Sequence, residues 1–185
     1  MKPTLIGITV ATIVLYIWGY LYWGISPIPY ESMNQTPDDA AAQESLRQHF
    51  PESGSYLLPG PDHEPDVLNE LYANGPIAII HIKLEGGPVM DPAVLVRGFI
   101  HNLAFVGLLA IFFKVAAARE FRDFARLSLI SGAVAVVLID AGDIIWWRET
   151  ISWNVWQAIY NFTAFLIAGH LLGVFMKTNP EASTA

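Results

Sequence analysis

Seven polar side chains lie inside stretches of this sequence that are otherwise apolar, and their types are those that could do chemistry. They are Arg97, His101, Asn102, Asp140, Asp143, Asn161 and His170. Ionisable groups are costly in hydrocarbon, so they usually face a partner or a cavity. Two carboxylates near a histidine can hold a divalent cation or pass a proton.

The spacing of these residues predicts that most of them lie at similar depth. With a helical rise of about 1.5 Å per residue, His101 and Asp143 lie about 5 Å from the ends of their spans, and Asp140 and Asn161 about 10 to 12 Å. Asp140 and Asp143 share one helix face because they are three positions apart. The residues expected to meet, here named the polar cluster, are Arg97, His101, Asn102, Asp140, Asp143 and Asn161.

The polar cluster has two interpretations. In the first, Arg97 or Arg148 pairs with the aspartates, and the remaining members complete a hydrogen-bonded network that fixes the helices. In the second, the cluster is a site for a proton, a cation or a polar ligand, open to the outside of the cell. The candidates for a metal ligand set are then His101, Asp140 and Asp143.

No cofactor follows from these residues, and the default expectation is that the chain alone binds none. A haem held between two of its own histidines is not expected, since His101 lies about 5 Å and His170 about 25 Å from the same side. His170 is interpreted as a packed histidine. The absence of cysteine excludes disulfides, thiolate metal sites and cysteine nucleophiles from the chain itself.

The elements that position these residues are predicted to be membrane spans. Of 185 residues, 54% are hydrophobic and 15% charged, which is too apolar for an ordinary soluble domain. A span needs about 20 apolar residues, and we interpret the first stretch, which follows Lys2 without a cleavage pattern, as an uncleaved anchor. The predicted spans are 4–25, 92–117, 127–147 and 153–176. The fold class is an all-α membrane protein with four transmembrane helices and a small α+β extracytoplasmic domain between helices 1 and 2.

Basic residues predict the orientation, because Lys and Arg are retained on the cytoplasmic side. Both termini, including the tail 177–185, are expected in the cytoplasm, and residues 26–91 in the periplasm of a bacterium with the spans in its inner membrane. Residues 26–91 contain two basic against eleven acidic residues. The basic residues expected inside are Lys2, Lys114, Arg119, Arg122, Arg126 and Lys177.

Caps, turns and alternation predict the elements of residues 26–91. Thr36 is the expected N-cap of the first helix, Gly75 ends the second, and Asp91 caps the second membrane span. The helices are predicted at 37–49 and 65–73, and the strands at 55–58 and 77–85. Asp62, His63 and Glu64 are metal-capable types, but consecutive residues do not face one site, so we interpret them as a solvated loop.

Local motifs in the first half of the chain resemble an uncharacterised group of bacterial inner-membrane proteins with one anchor helix, an exported loop and further spans. The motifs are Trp18-Gly19, Ser26-Pro27, Gly54-Ser55-Tyr56-Leu57-Leu58-Pro59, Gly75-Pro76, Gly87-Pro88-Val89-Met90 and Gly98-Phe99. The resemblance implies a bacterial inner-membrane protein. It implies no activity.

The function expected from the sequence is that of a non-catalytic accessory subunit of a larger membrane complex, such as a respiratory or photosynthetic one. Its partners would be other membrane subunits, lipid and possible basic periplasmic electron carriers attracted by the acidic domain. The net charge of -7 argues against nucleic acid. The alternatives are a small enzyme or proton- or cation-coupled transporter that uses the polar cluster, and a sensor or assembly factor. The expected partner surface is Trp18, Trp23, Trp146 and Trp147.

Overall fold

The computed structural model describes residues 2–178, which form two compact units: residues 34–89, and a helix bundle made of the rest. The bundle has α1 (Lys2–Gly19) with a π-helical extension (Tyr20–Ile25), a 3₁₀ turn (Ile28–Ser32), α4 (Pro92–Val115), α5 (Phe121–Leu138), α6 (Asp140–Trp146) and α7 (Ile151–Met176). The smaller unit has α2 (Asp39–His49), β1 (Gly54–Leu58), α3 (Pro65–Asn74) and β2 (Ala78–Ile82).

Four helices of the bundle are long and apolar enough to cross a membrane, which fits a multi-pass membrane protein as the sequence predicted. They are Lys2–Ile25, Pro92–Val115, Phe121–Trp146 and Ile151–Met176. The last of them, α7, is central, because it packs against α1, α4, α5 and α6. The core residues come from all four spans and are Ala11, Leu15, Val106, Leu109, Ala110, Phe113, Phe124, Ala164, Ala168 and Leu172.

Tyrosine hydroxyls on α1 and its extension tie the first span to its two neighbours. Tyr16 donates to the backbone carbonyl of Leu95 on α4 at 3.1 Å, and Tyr22 donates to that of Trp156 on α7 at 2.8 Å. In a membrane such polar contacts are not masked by water, so they help to fix which helices lie together.

The helices α4 and α5 are consecutive but are neighbours only near the turn that joins them. There Phe113 packs edge-to-face on Phe124, with ring centroids 5.0 Å apart. Away from this turn the space between the helices is occupied by two cavities. The bundle therefore has a cleft between these two spans.

The smaller unit is built on an antiparallel pair of strands, in which Tyr56 of β1 is opposite Ile80 of β2. Phe50, which follows α2, packs on Tyr56 with centroids 4.7 Å apart. Glu85 accepts a hydrogen bond from Ser53 at 2.8 Å. Its own backbone N–H, and then this hydroxyl, hold the pKa of the Glu85 carboxyl below its usual value.

Local signals placed most element ends within a few residues. In the smaller unit, α3 is capped by Gly75 at a positive φ of 62°, and β1 pairs with β2 as expected. Helix α2 begins later than expected, because Asp38 is its N-cap. The Asp38 side chain accepts a hydrogen bond from the backbone N–H of Ala41, while Thr36 donates to Asp39. The third long helix is interrupted at Ile139, which separates α5 from α6. Residues 179–185 of the predicted tail lie outside the described residues.

Candidate functional site

Asp140 is the most buried ionisable side chain that the polar cluster contributes to the bundle. It is the first residue of α6 and is 3% exposed. One carboxylate oxygen, Oδ1, accepts a hydrogen bond from the Nδ2 amide of Asn161 at 2.8 Å. The other, Oδ2, is buried and has no hydrogen-bond partner among the described residues. Ionisable residues inside membrane spans often mark functional sites, so Asp140 and its amide partner are the candidate site.

A cavity of about 310 Å³, here named the polar chamber, lies beside this pair. Its polar lining comes from α4 and α7 and comprises His101, Asn102, Tyr160 and Asn161. Its apolar lining is Leu15, Phe105, Ala135, Ile139, Ala164 and Phe165. Asn161 therefore both lines the chamber and binds Asp140, so it connects the carboxylate to whatever occupies the cavity.

A second cavity of about 240 Å³, here named the apolar chamber, lies between α4 and α5 nearer to the turn that joins them. Phe105 and Phe165 border both chambers, and their rings meet edge-to-face with centroids 5.0 Å apart. The remaining lining residues are Leu108, Leu109, Phe112 and Ser131. One polar and one apolar space thus follow each other along the same cleft.

The structure separates the polar cluster into members that meet and members that do not. His101, Asn102 and Asn161 share the polar chamber, and Asn161 binds Asp140. Arg97 is exposed, and no ion pair joins it to either aspartate in the described part of the chain.

Asp143 is half-buried one turn after Asp140. Within residues 2–178, no three His, Asp or Glu side chains lie close enough to hold a metal ion. The candidate ligands His101, Asp140 and Asp143 are therefore not assembled as a metal site here.

His170 is a packed side chain, in agreement with its interpretation from the sequence. Its Nδ1 donates to the backbone carbonyl of Leu166 at 2.7 Å, and its ring lies edge-on to Phe121. The ring is half-buried on α7. These contacts account for the residue without a ligand.

The expected partner surface divides into two parts. Trp18 and Trp23 are half-buried, and both rings pack on Tyr22. Packing of α1 against α4 and α7 is the reason, since it draws these rings into the bundle. Trp146 and Trp147 remain open, with exposures of 78% and 58%.

Sequence reasoning missed two polar residues that the structure brings into the bundle. Asn154 is fully buried on α7 and donates to a carboxylate oxygen of Glu149 at 3.1 Å. Tyr160 lines the polar chamber. The signal for Asn154 was its position seven residues before Asn161, which places both amides on one face of a helix.

No known protein family, curated protein or solved structure matches this chain. Function must therefore be inferred from its own residues. The polar chamber can form hydrogen bonds through the amides of Asn102 and Asn161 and the imidazole of His101, and the carboxyl of Asp140 lies beside it, bonded to one of those amides.

Proposed function

We propose that this chain is a proton-coupled membrane protein, a small transporter or enzyme, in which Asp140 takes up and releases a proton. The observation that supports the proposal is the burial of Asp140 in the bundle, with one oxygen on the Asn161 amide and the other without a hydrogen-bond partner anywhere in residues 2–178. A carboxylate that served only to hold helices together would be expected to use both oxygens.

Asn161 supplies the coupling between the proton and the polar chamber. Its amide donates to Asp140 and also lines the cavity, so its hydrogen bond strengthens when the carboxyl loses its proton. Charged acceptors form hydrogen bonds about twice as strong as neutral ones. A ligand that contacts Asn161 would consequently sense the protonation state of Asp140.

Proton flux into vesicles tests the role of Asp140. Purified protein in liposomes with an internal pH indicator should conduct protons when a potential is imposed, and Asp140→Asn should lower the rate by about tenfold or more. Asp143→Asn is the matched control, since it removes a neighbouring carboxylate that is only half-buried, and should retain most of the flux. A stable Asp140→Asn variant that keeps the full wild-type flux would contradict the proposal.

A second candidate function is that of an accessory subunit in a larger membrane complex, favoured by the exposed pair Trp146 and Trp147. Neighbouring exposed side chains on α5 and α6 extend this patch, including Val137, Leu138 and Ile145. In this proposal the termini lie in the cytoplasm of a bacterium, and the acidic segment 26–91 faces the periplasm. The asymmetric distribution of Lys and Arg supports that orientation.

Gentle extraction from the native membrane, followed by sizing and mass spectrometry, tests the second candidate. A partner that co-migrates with the wild type should be lost when Trp146 and Trp147 are both replaced by alanine, because large exposed aromatic side chains dominate interfaces. Tyr20→Ala removes another exposed aromatic side chain and should leave the partner bound. Migration of the wild-type chain alone would count against this candidate.

A further inference from the structure

We infer that the polar chamber and the apolar chamber form one binding groove for an uncharged, lipid-soluble molecule with a hydrogen-bonding head and a single apolar tail. A quinone with an alkyl chain has this chemistry. The inference goes beyond proton uptake at Asp140 and does not depend on it. Four observations support it: the order of the two chambers, the polar groups at one end, the absence of fixed charge in the lining, and the opening between α4 and α5.

Along α4 the polar chamber is followed by the apolar chamber, which is the order needed to hold a polar head and then an apolar tail. Asn102 lines the polar chamber and Phe112 the apolar one, and ten residues of helix separate them by about 15 Å. Phe105 and Phe165 lie where the chambers meet. An aromatic pair at this position can contact a flat head on one side and a chain on the other.

The head-binding end offers amide groups that the bundle itself does not use. Asn102 is 9% exposed, and its side chain makes no hydrogen bond to another described residue. Asn161 uses one amide hydrogen for Asp140 and retains a second. An amide that faces an apolar cleft is more stable with a hydrogen-bond partner, and ring carbonyls or hydroxyls would provide one.

The lining of both chambers contains no Asp, Glu, Lys or Arg. Apart from the imidazole of His101 and the phenol of Tyr160, no lining side chain ionises. A charged head would therefore lose its hydration without gaining a counter-charge, which is unfavourable in a low-dielectric site. This favours a neutral head over a phosphate or an ammonium group.

The cleft opens towards the region that lipid would occupy. Leu108 is highly exposed and Phe112 is also exposed, although both line the apolar chamber. A transmembrane helix of another chain has a diameter of about 10 to 12 Å with its side chains, which exceeds what chambers of this size accept. A single alkyl or isoprenoid chain is the better fit.

Binding of a radiolabelled benzoquinone with a decyl chain to the purified full chain in lipid nanodiscs tests the inference. Ala135→Phe places a ring in the polar chamber and should weaken binding by about tenfold or more. Val134→Phe is the matched control, because Val134 is next to Ala135 in the sequence but is exposed and lines neither chamber. This variant should bind the quinone as the wild type does. Asn102→Leu keeps the volume, removes the amide and should weaken binding by about tenfold.

Decylbenzene, which has the same tail without the carbonyls, separates head recognition from simple partition into lipid. It should compete about tenfold less well than the quinone. Thermal unfolding of each variant establishes that it is folded. Equal competition by decylbenzene, unchanged binding by a folded Ala135→Phe variant, or no saturable binding by the wild type would overturn the inference. Native mass spectrometry that finds a phospholipid bound to the wild type but not to Ala135→Phe would also overturn it, since the occupant would then be charged.

Discussion

Replacing Gly169 by alanine will destabilise the helix bundle by about 3 kcal/mol or more. A Cβ atom at this position would overlap Oγ of Ser128 on α5 and lie 2.6 Å from the Cβ of that serine. Ser128 cannot easily move, because it is fully buried and its hydroxyl donates to the backbone carbonyl of Phe124 at 2.6 Å. Alanine has the higher helix propensity, so a loss of stability would report the steric contact between α5 and α7.

The midpoint of thermal unfolding in detergent measures this effect, with Gly107→Ala as the matched control. Apart from the adjoining backbone of its own helix, no atom of the described residues lies within 4 Å of a Cβ at Gly107, so that substitution should leave the midpoint unchanged or raise it slightly. Adding Ser128→Gly to Gly169→Ala removes both clashing atoms and should recover much of the loss. If Gly169→Ala is as stable as Gly107→Ala, α5 and α7 are not packed at this distance.

Replacing Asn161 by leucine is expected to destabilise the bundle by at least about 1 to 3 kcal/mol. Leucine has a similar volume, so the change leaves little cavity. It removes the only side-chain hydrogen bond to Asp140 among the described residues, at 2.8 Å, and leaves the buried carboxyl without a side-chain partner. If the carboxyl is ionised, the loss could reach about 3 to 5 kcal/mol, as for other buried pairs that lose one member.

A double-mutant cycle distinguishes an unpaired carboxylate from simple loss of packing. The variant with both Asp140→Leu and Asn161→Leu removes the orphaned group and should be more stable than Asn161→Leu alone. Asn154→Leu serves as a comparison, since it removes the side-chain amide of a fully buried residue of α7, one that donates to Glu149. A double variant that is less stable than Asn161→Leu would show that Asp140 stabilises the bundle without its amide.

Local signals were sufficient to predict the elements that they create. Asp91 caps α4 by accepting from the backbone N–H of Ala93 at 2.9 Å, and Pro92 begins the helix, as the sequence indicated. Gly75 ends α3 because its positive φ suits glycine. Four long apolar runs predicted four helices of membrane-spanning length. Each of these features depends on neighbours within a few residues.

Depth along a helix was predictable, whereas rotation about its axis was not. Asp140 and Asn161 were expected at similar depth, and they are hydrogen bonded. Arg97 and His101 are one turn apart on α4, yet only His101 lines the polar chamber. Which face of α4 turns inward depends on packing against α1 and α7, and a helix that is apolar on all sides carries no periodic signal for it. The two separate chambers were unpredictable for the same reason.

The cleft between α4 and α5 changes which concentration governs binding. A ligand that enters from the side is drawn from the bilayer, so occupancy would follow its mole fraction among the lipids and would depend little on how much remains in water. Each methylene added to the tail favours the bilayer by about 0.8 kcal/mol. Longer tails would therefore raise the affinity measured from water while the affinity measured against lipid stayed nearly constant, and homologues that differ only in tail length would compete on equal terms once dissolved in the membrane.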